Sequence, residues 1–331
     1  MQEDFLRKEG VDILSATVSF PSRKKIWVFF KYSLLLARAL KFIFHPLDVI
    51  HVHYLFPPGI IGLLLKYLKK APLVVTAHGG DINDMAERNP VNKLLTCLIL
   101  KKADAVVSVS RDIKEKILTR YRIPENRIKV VDMGVDREIF HPIEPPPPKK
   151  PYLLFVGRLE KIKGPDIAVK AISLLPSDFH LFIVGEGEEK EKLKNLAGSE
   201  GVKERVHFLG GVPPDTLPSL FHTSFLTLIP SREEPFGLVG LESMSCGTPV
   251  LASGKGGLGE YIKDGINGFL LPSPEPSVWA EKIWQLWELS LSPRWNEIIR
   301  EGYRTAEEHS AARKSRVIQE IYYSLLKGGK R

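Results

Sequence analysis

A chain of 331 residues is longer than one hydrophobic core usually serves, so two domains are expected. Its 44% hydrophobic and 26% charged residues are those of a globular protein and exclude a disordered or fibrous chain. The net charge of +8 and pI near 9.2 suit an anionic partner (nucleotide, phospholipid surface or nucleic acid), although solubility alone accounts for them equally well.

Residues 3–9 read as the end of a helix, and Gly10 then leads into a strand over residues 12–18. Residues 24–44 are dense in aromatics and leucine, interleaved with Lys24, Lys25, Lys31, Arg38 and Lys41. That pattern fits a helix with one buried face and a helix lying on an anionic membrane equally well. Short β-rich runs follow at 49–53, 73–77, 105–108 and 128–131, separated by helical patterns. His51 and His53 alternate on the first of these and face one side; with no third ligand near in sequence, no metal site is read there. Residues 142–151 hold four consecutive prolines, which cannot join a sheet interior and favour an extended chain, so 144–150 reads as a semi-rigid linker. Beyond it, runs at 152–156, 179–184, 206–208, 225–229, 249–252 and 268–271 again alternate with helical patterns. Several runs are apolar on both faces, as buried parallel strands are. The expected fold is therefore α/β, two Rossmann-like doubly wound domains. A last helical pattern, 315–327, carries Val317, Ile318, Ile321, Tyr322 and Leu325 on one side. Cys97 and Cys246 make neither a disulfide framework nor a metal pattern and suit a reducing compartment. Neither a signal peptide nor a membrane span is expected.

Three stretches carry chemistry. Thr76-Ala-His78-Gly79-Gly80-Asp81 closes the run at 73–77; a histidine at a strand's end beside two glycines, which let backbone approach closely, suits a binding cleft. Val156-Gly157-Arg158-Leu159 opens the second half, with Lys163 and Gly164 shortly after. An anionic leaving group needs cations on the oxygens that gain charge, and Arg158 supplies a planar fork while Lys163 supplies a point charge. In Pro230–Val250, Glu234 and Glu242 stand eight residues apart around Pro235-Phe236-Gly237-Leu238. A helix opening near Phe236 would carry Glu242 two turns in, with Glu234 at its mouth, where free amides favour an anion.

Taken together, Glu234, Phe236, Gly237, Leu238, Glu242, Met244, Gly247, Pro249 and Val250 resemble the E-x7-E motif of the large retaining glycosyltransferase family four, or group one. Ser243 stands where that family more often has alanine. Val156–Gly164 is similar to its V-G-R-L-x-x-x-K-G pattern and residues 76–81 to its T-x-H-G-x-D. The resemblance implies the GT-B fold, two Rossmann-like domains facing a cleft. Residues 1–143 would form the acceptor-side domain, 151–305 the nucleotide-sugar domain, and 306–331 a helix crossing back to the first. It also implies a first strand with a glycine-rich loop ahead of residue 3, roughly 15–25 residues that the sequence does not carry. A start recorded downstream of the true one is favoured over a decayed protein, because the remaining motifs look intact.

By the same resemblance, Glu242 would accept from the ribose hydroxyls, Glu234 would hold the transferred sugar, and the amides of Phe236, Gly237 and Leu238 would meet the phosphate or the sugar ring. His78 would touch the donor, Gly79, Gly80 and Asp81 would shape the acceptor-side loop, and Gly157 and Gly185 would line the nucleotide. Arg158 and Lys163 would take the place of a metal, so no metal or other cofactor is expected. The implied activity is retaining transfer of a hexosyl group from a nucleotide-diphosphate sugar to a glycan or lipid-linked hydroxyl. It would take place in the cytoplasm or at the inner face of the membrane, with contact through 24–44. The alternatives are a non-hydrolysing sugar-nucleotide epimerase or phosphorylase-like enzyme, and a non-catalytic sugar-nucleotide-binding protein. No nucleic-acid partner is expected, since charge alone would support one. A nicotinamide dehydrogenase is disfavoured because no Gly-x-Gly-x-x-Gly opens either half.

Overall fold

The structure, a computed structural model, describes residues 2–18, 25–143 and 151–328. The proline-rich linker expected at 144–150 lies outside the described residues, as does Lys24 at the head of the basic aromatic stretch. The chain divides into two compact units, Met1–Asp132 with Lys314–Arg331 (unit 1) and Met133–Arg313 (unit 2).

Unit 1 begins with α1 (Gln2–Lys8) and α2 (Lys25–Leu40), the latter running into a 3-10 turn at Lys41–Phe44. There follow β1 (Ile50–His53), α3 (Pro58–Lys69), β2 (Leu73–Ala77), α4 (Pro90–Lys102), β3 (Ala105–Ser108), α5 (Arg111–Tyr121) and β4 (Ile128–Val130). The four strands are parallel in the order β1-β2-β3-β4. Every residue of β2 and β3 is buried, which is why both read as continuous apolar runs rather than alternating ones. Local chemistry sets the helix ends. Asn89 accepts from the Asn92 amide to open α4, Ser110 accepts from the Ile113 amide to open α5, and left-handed Lys70 and Arg122 end α3 and α5.

One expected strand is not formed. Residues 12–18 have strand composition but no regular structure, and they pair with none of the four strands. Strand propensity is realised only against a neighbour's backbone. Here Ile13 and Thr17 instead give their carbonyls to the guanidinium groups of Arg7 and Arg38, while Val11 and Ile13 lean on the core formed by Leu6, Val74 and Val107.

Unit 2 contains β5 (Tyr152–Val156), α6 (Pro165–Ser173), β6 (His180–Val184), α7 (Lys190–Ser199), β7 (Val206–Gly210), α8 (Leu217–Thr223), β8 (Leu226–Ile229), α9 (Leu238–Ser245), β9 (Val250–Ala252), α10 (Leu258–Tyr261), β10 (Phe269–Leu270), α11 (Pro276–Leu289) and α12 (Pro293–Glu308). Its six parallel strands are ordered β10-β9-β8-β5-β6-β7. The chain winds outward from β5 to β7, then returns to pair β8 with the other side of β5. Winding reverses there, and in such sheets the crevice beyond the carboxyl ends of the strands at the reversal is where ligands bind. The core beneath is apolar, with Leu153, Ile183, Phe225, Trp279 and Ile283 fully buried.

The last helix, α13 (Ala311–Gly328), joins unit 1 from Lys314 onward. Ile318 and Ile321 enter the core with Leu6, Val74 and Val107, and Lys314 lies 2.6 Å from Asp132.

Candidate functional site

In unit 2 the loops after β5, β6 and β7 are laced by backbone. The Gly157 amide donates to Val184 O at 3.0 Å, and the Gly185 amide to Gly210 O at 2.7 Å. Only a glycine fits at 185, with φ of +137° and a position where a Cβ would lie 1.9 Å from Gly157 O. After β5, the chain makes a short turn over Lys161–Lys163 and enters α6 at Gly164. Gly164 has φ +69° and packs so closely on the loop after β8 that a Cβ would lie 2.1 Å from Pro230 O. Arg232 locks the two loops together. Its guanidinium donates in fork geometry to both Asp166 oxygens at 2.9 and 2.7 Å, and also to Lys161 O at 2.6 Å.

That clamp delivers Lys163 to Glu234, with Nζ 2.6 Å from Oε2. Both side chains are largely buried, and Ser231 Oγ donates to the same Oε2 at 3.0 Å. Glu234 O in turn accepts from the Gly257 amide at 3.0 Å, tying the turn ahead of α10 to the motif. Gly237 then opens α9 at Leu238, and Tyr261 Oη donates to Gly237 O at 2.6 Å. The Phe236 ring is buried against Tyr261 and His309, so its side chain supports the turn from beneath. Glu242 follows one turn into α9, not the two expected, because the helix opens at Leu238 after left-handed Gly237; its carboxyl has no hydrogen-bond or ion-pair partner among the described residues. Burial pushes its carboxyl up to about 7.

The structure thus brings Lys163 to Glu234 and sets Glu242 on the adjoining helix. Arg158 is not drawn into this pair; it is exposed, with its guanidinium 2.8 Å from the Glu160 carboxylate. Sequence reasoning missed Ser231, Arg232 and Asp166. The first two stand directly ahead of Glu234, but nothing in their spacing shows that one holds the carboxylate and the other the lysine's loop.

In unit 1 the loop after β2 carries His78, Gly79, Gly80 and Asp81. Asp81 is buried and accepts from the amides of Leu55, His78 and Gly79 at 3.1, 3.1 and 2.9 Å. Burial raises its pKa and those amides pull it back. The carboxylate therefore pins the backbone of two loops. The His78 ring meets His53, with Nε2 3.0 Å from Nδ1, and lies 4.4 Å from the Tyr54 ring. Tyr54 holds a left-handed φ of +71°, which costs a non-glycine residue about 1 kcal/mol or more and places its ring beside His78. His51 stacks on His53 and joins Tyr322 Oη at 2.5 Å and Thr76 Oγ1 at 2.7 Å. Burial first, then the neighbouring His53, brings His78 down to about 3, so its imidazole is neutral at physiological pH. Among the described residues no group of three or more His, Cys, Asp or Glu side chains is placed to hold a metal ion.

Comparison with known proteins bears on both units. Residues 136–305 match the family described as glycosyl transferases group 1, and residues 3–139 match glycosyltransferase family 4. The D-inositol 3-phosphate glycosyltransferase of Acidothermus cellulolyticus is 34% identical over 276 residues, covering 72% of this chain and 59% of that protein. Across the curated relatives it matches, this chain spans 54–65% of their length. Among solved structures, sucrose-phosphate synthase from Thermosynechococcus elongatus superposes with a TM-score of 0.81 at 23% identity, covering 96% of this chain and 83% of its own. HepE of Anabaena, solved with UDP and glucose, superposes with a TM-score of 0.77 at 22% identity, covering 88% of this chain and 81% of its own. At such identities the likeness is one of fold.

Proposed function

Because this chain belongs to the group 1 glycosyl transferases, we propose that it moves a sugar from a nucleotide-diphosphate sugar to a hydroxyl of a glycan or lipid-linked acceptor. The observation that carries this reading is the Lys163–Glu234 pair, 2.6 Å apart at the turn opening α9, beside the glycine loops at the carboxyl ends of β5 and β6.

In this reading the bond between the sugar's anomeric carbon and the diphosphate oxygen breaks, and the negative charge grows on the diphosphate. Lys163 and Arg158 supply the fixed cations that stabilise the developing charge in this reading, the load a divalent metal carries elsewhere, with Arg158 turning to the diphosphate from its exposed place beside Glu160. The acceptor hydroxyl bonds to the same face of the anomeric carbon, retaining configuration, and its proton goes to the leaving phosphate oxygen. Glu242 accepts from the nucleotide ribose and Glu234 from the transferred sugar, while Gly157, Gly185 and the amides of residues 236–238 line the donor. His78, neutral and aimed by His53 and Tyr54, donates or accepts a single hydrogen bond rather than supplying charge. Gly79, Gly80 and Asp81 shape the acceptor-side loop, and residues 24–44 contact the membrane at its cytoplasmic face.

The test is calorimetric titration with UDP-, GDP- and ADP-sugars in the presence of a chelator, for the native chain, Glu242→Ala and Arg158→Ala. One nucleotide class should bind without metal, and each variant should bind it at least about tenfold more weakly, the loss of one charge-assisted contact. Unchanged affinity in both variants would overturn the site, and binding only with magnesium or manganese would overturn the metal-free mechanism.

A further inference from the structure

The net charge of the chain is unevenly divided. Unit 1 holds 27 Lys and Arg against 14 Asp and Glu, a net of +13, while unit 2 holds 20 against 25, a net of −5; together they restore the +8 of the whole. Within unit 1 the asymmetry concentrates on one helical layer. α3 packs against β1 and β2 and neighbours α2 on one side and α4 on the other. Over α2, its 3-10 extension, α3 and α4 there are 45 residues with nine Lys and Arg and not one Asp or Glu. At the chain's own frequency of 39 acids in 331 residues, about five would be expected there. Ordinary solvated helices mix both signs, as α5 and α7 of this chain do.

The outward faces of these helices are also apolar. α3 already buries one stripe, Gly59, Gly62 and Leu63, against the sheet and α4. Its other side presents Ile60, Leu64 and Leu68, at helical spacing and 37–53% exposed. α4 buries Thr96, Ile99 and Leu100 and presents Val91, Leu94 and Leu98, 43–68% exposed. On α2 and the turn after it, Leu34 and Phe44 are exposed as well. Lys101 and Lys102 at the end of α4, and Lys70 just past α3, have no carboxylate partner among the described residues.

We infer that the outer face of α2, α3 and α4 docks this chain onto an anionic lipid bilayer. A bilayer surface answers both halves of the pattern, since its acyl boundary receives the aliphatic stripes and its headgroups the interleaved cations. A second copy of the chain does not fit, because a symmetric pairing would set cation against cation across helices that carry no acid of their own; only Lys66 and Lys93, beside Asp104 and Glu87, have a carboxylate near them among the described residues. The helices lie on the surface rather than cross it: they are 12 to 16 residues long, and no helix among the described residues is long and apolar enough to span. The inference rests on the membrane contact proposed above for residues 24–44 and extends it to α3 and α4; its failure would remove that contact and leave the donor site standing, and failure of the donor site would leave the docking face standing.

Co-sedimentation of the full chain with vesicles tests it, using phosphatidylcholine alone and phosphatidylcholine mixed with phosphatidylglycerol. Binding to the anionic vesicles should exceed binding to the neutral ones at least about tenfold and should fall between ~0.05 M and ~0.5 M salt. Lys101→Ser with Lys102→Ser should weaken it about fivefold per cation. Leu64→Ser with Leu94→Ser should weaken it about tenfold or more with the melting temperature unchanged, since both side chains are exposed. Lys192→Ser with Lys194→Ser on α7 should change nothing. Equal binding to both vesicle types, no binding to either, or indifference to both the lysine pair and the leucine pair of α3 and α4 would overturn the inference. So would self-association of the native chain that Leu64→Ser with Leu94→Ser abolishes, which would assign the face to a second copy.

Discussion

Glu242 holds a carboxyl that burial pushes up to about 7, with no described partner to pull it back. An acid whose pKa is higher folded than unfolded keeps its proton longer in the native state. Its contribution to stability is full below the unfolded value of about 4.5 and is lost as pH rises to about 7, because the unfolded chain ionises first. Glu242→Gln ionises in neither state. The variant should therefore gain stability relative to the native chain across that window, on the order of 1–3 kcal/mol for a partly exposed group. Melting temperatures at pH near 4.5 and 7.5 check this, and parallel curves would refute it. If Glu242 binds ribose hydroxyls as a carboxylate, donor affinity in the native chain should also weaken as pH falls through about 7. Lys163 makes a second prediction. Lys163→Met leaves Glu234 with Ser231 alone, and removing one partner of a largely buried pair should cost about 2–4 kcal/mol. Calorimetric unfolding reads the loss, and a change under about 0.5 kcal/mol would mean that the pair contributes no more than a surface one. Both glutamates and the lysine were legible as residues, because the residues around them, Phe236-Gly237-Leu238 and Val156–Gly164, resemble a family pattern; the eight-residue spacing alone would not have marked them. Their supports were not, because Ser231, which holds Glu234, and Asp166, which anchors Arg232, are ordinary residues until the chain folds.

At the scale of elements, the turn between β5 and α6 carries the site. Gly164→Ala puts a Cβ against Pro230 O in a left-handed conformation, and should destabilise by about 2–4 kcal/mol. A shift in the melting temperature of less than about 2 °C would show that the loop after β8 yields without cost. Arg232→Ala is the subtler change. Its pairing with Asp166 is about a third exposed, so stability should fall by only about 1 kcal/mol, while donor affinity should fall several-fold more as the Lys163 loop loosens. Titration beside a melt separates the two effects. Elements that bury both faces announced themselves: the run at 73–77 is a strand end to end because every one of its residues enters the core. Residues 12–18 have similar composition and form no strand, since hydrogen-bonding needs a neighbour that composition does not supply. The ends of α4 and α5 follow from Asn89 and Ser110, caps that act within three residues.

Over the whole molecule, the chain's two units differ in charge and in how they close. Unit 1 is completed by α13, whose Ile318 and Ile321 share a core with Val74 and Val107 from the middle strands. Ile321→Asp should therefore strike unit 1 and spare unit 2, burying an unpaired carboxylate at a cost of about 3 kcal/mol or more. Hydrogen exchange resolved by segment reads this, with β2 and β3 losing protection and β5 and β6 keeping theirs; equal loss in both would show one cooperative unit. The sequence by itself determined the alternation of strands and helices, the turns at glycine and proline, and the family, through Glu234 and Glu242 and the residues between them. These are properties of neighbours along the chain. Only the tertiary structure decided that Lys163 meets Glu234 across 71 positions, and that α2, α3 and α4, helices that themselves carry no acid, adjoin in one layer. Such contacts depend on which distant surfaces bury each other best, a balance struck over the whole core and written in no single segment.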